Sequence, residues 1–117
     1  MKTDNKILEL SFSFSLEIIE LYKVLLNAKE FVISKQLLKS RTSIGANVEE
    51  AIAAQSRKDF ISKMAIAAKE SRETRYWLRL LDKSKLVKID CSKCLENVEH
   101  IINIITKIVK TSQNSIS

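Results

Sequence analysis

Residues 56–83 read SRKDFISKMAIAAKESRETRYWLRLLDK. Phe60, Met64, Ala67, Ser71, Thr74, Leu78 and Leu81 recur three and four apart through this stretch, the spacing of one face of an α-helix. Ser56 followed by Asp59 resembles a capping box, with aspartate in place of the usual Glu or Gln, and marks the start. The stretch contains neither glycine nor proline, so it predicts a helix over 57–83, roughly 40 Å long at about 1.5 Å per residue. A helix of that length with one apolar face needs other elements to cover it, and the rest of the chain supplies only more helix.

The whole sequence of 117 residues contains no proline and a single glycine. An all-β fold needs turn residues every 8 to 12 positions, so the composition points to all-α. Upstream, Leu10, Phe14, Ile18, Leu21, Tyr22 and Leu25 form the apolar stripe of a first helix over 7–26. Its SFSFSL run alternates like a strand, but the pattern turns helical at once. Ser34 is the expected N-cap of a second helix over 34–55, on which Leu37, Ile44, Val48, Ala51 and Ile52 share a face. The connector DKSKLVKID leads to a fourth helix over 90–111, where Val98, Ile101, Ile102, Ile105, Ile108 and Val109 line up. The tail SQNSIS is expected to fray. Four amphipathic helices joined by short connections predict a single domain over 1–117, an antiparallel up-and-down four-helix bundle.

Several function classes fall away. No apolar run approaches the roughly 18 residues that suggest a membrane span. The opening MKTDNKILELSFSFSLEIIE lacks the layout of a secretory signal, so a cytoplasmic protein is expected, with no membrane partner. Cys91 and Cys94 spell C-x-x-C, yet a zinc site wants four ligands, and the chain has no second pair and one histidine, His100. The cysteines fall on or beside the apolar stripe of the fourth helix and read as buried thiols. A di-iron bundle needs Glu-x-x-His on two helices, and Asn97 occupies the position three before His100. No nucleophile–base set or glycine-rich phosphate loop is visible. The expectation is therefore no metal, no cofactor, no small-molecule substrate and no enzyme.

Charge is the positive signal. The formal net charge is +6. Residues 35–88 hold 13 Lys and Arg against 6 Asp and Glu, whereas the remainder holds 7 against 8. On a helical wheel Lys58, Lys69, Arg72, Arg75, Tyr76, Arg79 and Lys83 share about a third of the third helix, away from its core line. Such a stripe suits a phosphate backbone, with Tyr76 as a stacking surface. It equally suits a solvated face neutralised by Glu70, Glu73 and Asp82. Ile66, Trp77 and Leu80 widen the apolar face of the same helix, either as a subunit interface or as a wide bundle seam.

The one glycine, Gly45, lies inside the second helix, where it costs about 1 kcal/mol relative to alanine. Ser43, Ala46 and Asn47 surround it with little bulk, which fits a bend or a close helix contact, inside the bundle or against another subunit. Asn47 is expected to hydrogen-bond across such a contact.

The segment SKQLLKSRTSIGANVEEAIAAQSRKDFISKMAIAAKESRETRYWLRLL, residues 34–81, resembles the 23S rRNA intervening-sequence protein family. SIGAN at 43–47 is similar to that family's Ser-Ile-Pro/Gly-Ala-Asn element, SRKDF at 56–60 to its third-helix start, and SFSFSLEIIELYKVL at 11–25 to its first helix. The chain also resembles the accessory variability protein of diversity-generating retroelements. These resemblances imply a four-helix bundle, a ring-shaped homopentamer and a basic surface that binds RNA or DNA. They also imply a bend at position 45.

Overall fold

A computed structural model of the chain describes residues 2–116, with side chains described over 4–114. Four helices follow in order: α1 (Lys2–Asn27), α2 (Ile33–Ile52), α3 (Arg57–Ser84) and α4 (Ser92–Ile116), with no strand among the described residues. Each packs on its chain neighbours, and α1 closes the square against α4. α1 and α3 occupy diagonal corners, with no Cα pair within 8 Å between them among the described residues. The bundle is a rod of 48 × 22 × 21 Å, a length that the helix of residues 57–84 nearly spans by itself.

Burial follows the apolar periodicity. Phe14, Ile18 and Leu25 of α1, Leu37, Ile44 and Val48 of α2, Met64, Ala67, Leu78 and Leu81 of α3, and Val98, Ile101 and Ile105 of α4 form one continuous core. Leu10, Tyr22, Ile52, Phe60, Ile108 and Val109 lie half-buried at its margins. Two polar residues on the α3 core line are also buried. Ser71 Oγ donates to Ala67 O at 2.8 Å and Thr74 Oγ1 to Glu70 O at 2.8 Å, so each hydroxyl is satisfied by its own helix.

The helix ends differ from the expected bounds in instructive ways. α3 starts as expected, with the Ser56 side chain accepting from Asp59 N–H at 3.0 Å. Ser34 is not the cap of α2; Glu30 does that work instead. Its carboxylate accepts from the backbone N–H groups of Val32, Ile33 and Ser34 at 3.0, 3.0 and 2.8 Å. A charged acceptor on three orphan donors outcompetes a hydroxyl. α2 closes at Ile52, short of residue 55, and the chain turns at once into α3. The tail 112–116 remains helical, with Ser112 buried.

The reversals at 28–32 and 85–91 lie at the same end of the rod. They turn on Lys29 (φ 61°) and Lys85 (φ 59°), both left-handed. With no proline or second glycine available, lysine takes a conformation that glycine usually supplies.

Candidate nucleic-acid interface

The length of α3 follows from three local features. Ser56 satisfies its first turn, Asp59 opposes the helix dipole at the N-terminus, and Lys83 does so at the C-terminus. With its core line turned inward, the opposite face is left to solvent. Lys58, Lys69, Arg72, Tyr76, Arg79 and Lys83 are all exposed along it, and Arg75 is half-buried.

Of these cations only Arg75 is ion-paired among the described residues. Its Nη1 donates to Glu99 Oε2 at 2.9 Å and Oε1 at 3.2 Å, reaching across to α4. Glu70, Glu73 and Asp82, the neighbours placed to neutralise the stripe, form no ion pair with it. Burial, then a hydrogen bond with Glu73, raises the carboxyl pKa of Glu70 above its ordinary value. Glu70 and Glu73 thus engage each other, and five cations of the row stay without an ion pair among the described residues.

Tyr76 is 56% exposed and packs edge-on against Trp77, with ring centroids 5.2 Å apart and planes at 74°. An open notch beside the two rings is walled by Gln36 of α2 and by Lys69, Arg72 and Glu73 of α3. Trp77 also lines a second, larger groove toward the end of the rod, with Phe31, Val32, Leu80 and Leu86. The sequence reading missed the apolar part of both connectors, in which Phe31, Val32 and Leu86 are more than half exposed. Leu80 is exposed in part and Trp77 half-buried, both lining this groove, while Ile66, also exposed in part, lies about three turns nearer the start of α3.

A second exposed apolar strip was also missed. Phe12 and Leu16 on α1 are 63% and 52% exposed. The period-two SFSFSL run was the available signal: it puts Phe12 and Phe14 on opposite faces, and only Phe14 enters the core.

The small residues on α2 do several different things. α2 passes unbroken through Gly45. A Cβ at this position would lie 3.3 Å from Ser15 Oγ and 3.8 Å from Ser11 O, both on α1, so glycine sits where the two helices approach closely. Asn47 does not bond across a helix contact; its Nδ2 donates to Ser43 O at 2.7 Å in its own helix. Ala46 is exposed, and Ser43 Oγ is buried without a hydrogen-bond partner.

At the start of α4, Cys91 is buried and Cys94 half-buried, both free thiols. Burial, followed by Asp82 and Asp90, pushes Cys91 up to about 11. Burial, followed by Glu17, pushes Cys94 up to about 12. Such thiols are poor nucleophiles, unlike those of a redox C-x-x-C. His100 is exposed. Among the described residues no group of three or more His, Cys, Asp or Glu is placed to hold a metal, and no helix is long and apolar enough to cross a membrane.

The molecule is thus an all-α four-helix bundle whose longest helix carries a cationic outer face. The chain belongs to the 23S rRNA-intervening sequence protein family, whose sequence profile matches residues 3–107. It is 44% identical to a protein of unknown function from the S23 ribosomal protein family of Bacteroides thetaiotaomicron. The match covers 92% of this chain and 98% of that one, and the crystal structure of that protein agrees with the present fold at a TM-score of 0.87. No curated protein matches the chain.

Proposed function

We propose that the protein is a non-enzymatic, homo-oligomeric bundle of the cytoplasm that binds RNA or DNA through the outer face of α3. The observation that carries this reading is the row Lys58, Lys69, Arg72, Arg79 and Lys83, exposed on one helix with no ion-pair partner among the described residues. Phosphate neutralisation releases counterions, so affinity depends on salt. With about five phosphates engaged, binding should weaken by about two to three orders of magnitude between 50 and 200 mM salt. The test is a titration of structured RNA and of duplex DNA across that range. Absence of binding at the low-salt end removes the nucleic-acid reading and leaves an oligomeric scaffold acting through protein partners.

Self-association enters the proposal because apolar side chains stay uncovered on two helices that lie apart in the bundle. They include one group, Phe12 and Leu16, on α1 and another, Ile66, Trp77 and Leu80, on α3. Helices at diagonal corners carry them, so a contact between the two groups is heterologous, the kind of interface that builds a ring when its rotation closes and a filament when it does not. Five subunits is the number that the resemblance to the retroelement accessory protein implies.

A further inference from the structure

We infer that the notch beside Tyr76 receives one unpaired nucleobase, so that the α3 face is a site for single-stranded nucleic acid and not for a closed duplex. This rests on the nucleic-acid reading above and names the form of the ligand.

Tyr76 stands in the middle of a cationic row with over half its surface in water, in a position where nothing in the core uses its ring. Its edge contact with Trp77 fixes the ring, so little side-chain freedom is lost when a base stacks on it. The groups around it divide by chemistry. The Gln36 amide can both donate to and accept from a base edge, and the Glu73 carboxylate accepts from ring or amino N–H. Lys69 and Arg72 are cations placed for the flanking phosphates. At about 570 Å³ the notch falls within the range of sites for small ligands, enough for a base and its sugar.

A duplex cannot present this combination without cost. Its base faces are covered by stacking and its pairing edges are occupied, so a base must first be pulled out. A single strand exposes both. The cations continue beyond the notch at Arg79 and Lys83, one and two turns further along α3, where they can meet the next phosphates of the same strand.

The experiment compares a short oligonucleotide that cannot pair with itself, as a single strand and annealed to its complement, in RNA and DNA forms, by fluorescence anisotropy at low salt. Trp77 is the only tryptophan, so its own emission reports on the notch. Expected are tighter binding of the single strand of either sugar and quenching of Trp77 by the single strand alone. Tyr76→Ala should weaken single-strand binding about 5- to 100-fold while leaving duplex binding unchanged. Tyr76→Phe, which keeps the ring, should bind as the unmodified protein does. Equal affinity for both forms, or a Tyr76→Ala loss that is the same for both, overturns the inference and leaves nucleic-acid binding standing. If neither form binds, both readings fall together.

Discussion

Arg75 Nη1 lies 2.9 Å from Glu99 Oε2, so one cation of the α3 row is held by α4. Both side chains are partly exposed, and such a pair contributes about 0.2–1 kcal/mol to stability. Its larger effect is on charge, because it removes one arginine from an otherwise open face. Glu99→Gln should free Arg75 and steepen the slope of log K against log salt by about 0.7–0.9. Arg79→Ala should flatten that slope by a similar amount, and Arg75→Ala should change it little. Equal effects of Arg75→Ala and Arg79→Ala would show that the pair opens on binding.

Gly45 offers a test of close packing. Gly45→Ala gains about 1 kcal/mol of helix propensity but sets a Cβ 3.3 Å from Ser15 Oγ, which is donating to Ser11 O. The two effects should nearly cancel. In a Ser15→Ala background the crowding is gone, and Gly45→Ala should stabilise by about 1 kcal/mol. Urea melts of the four chains read the coupling. Gly45→Val should cost about 1–3 kcal/mol in either background through overpacking against α1.

The two capping arrangements predict losses of different size. Ser56→Ala removes one hydrogen bond to Asp59 N–H and should cost about 1 kcal/mol. Glu30→Ala leaves three backbone N–H groups at the start of α2 to solvent and should cost about 1–2 kcal/mol. Thermal melts followed by circular dichroism rank them.

The thiols give the fold a pH dependence on the alkaline side. Both folded values, about 11 and about 12, lie above the ordinary 9.0 of a thiol. Below pH 9 folded and unfolded chains hold the same thiol protons, and the contribution is fully present. As pH rises from 9 toward 11 the unfolded chain ionises ahead of the folded one, so stability falls. Urea midpoints at pH 8 and pH 10 should separate less in Cys91→Ala/Cys94→Ala than in the unmodified protein. At pH 8 a thiol reagent should react slowly with the native chain and fast in denaturant.

For assembly, Trp77→Ala and Phe12→Glu should each shift sedimentation toward smaller species. Phe12 is exposed, so its replacement should leave the melting temperature within a few degrees. A monomer for the unmodified protein at micromolar concentration removes the ring.

Much of the fold was legible because helical periodicity is a direct record of what faces inward. The core lines of α2, α3 and α4 emerge from spacing alone, and Ser56 announces α3 in its own side chain. The start of α2 was not legible, because Glu30 acts from two to four residues away and an acidic residue in a connector carries no local signature. Gly45 was conspicuous, but its neighbour across the helix contact is Ser15, some thirty positions earlier, which no local pattern pairs with it. At the site, the cationic row could be placed on one face, whereas its engagement by Glu99 depends on how α3 and α4 align. Phe12, Leu16, Phe31, Val32 and Leu86 look like ordinary core formers in composition. Only packing shows that the square of helices has no room for them.

The two left-handed lysines leave thermostability in reserve. Lys29 and Lys85 each hold a conformation that costs a side-chain-bearing residue about 1–2 kcal/mol. Glycine at either position should raise the melting temperature without touching the core or the α3 face, and the two gains should add if the turns are independent. As a scaffold for engineering, the bundle is therefore best stabilised at these two turns, where a side chain is given up to relieve backbone strain.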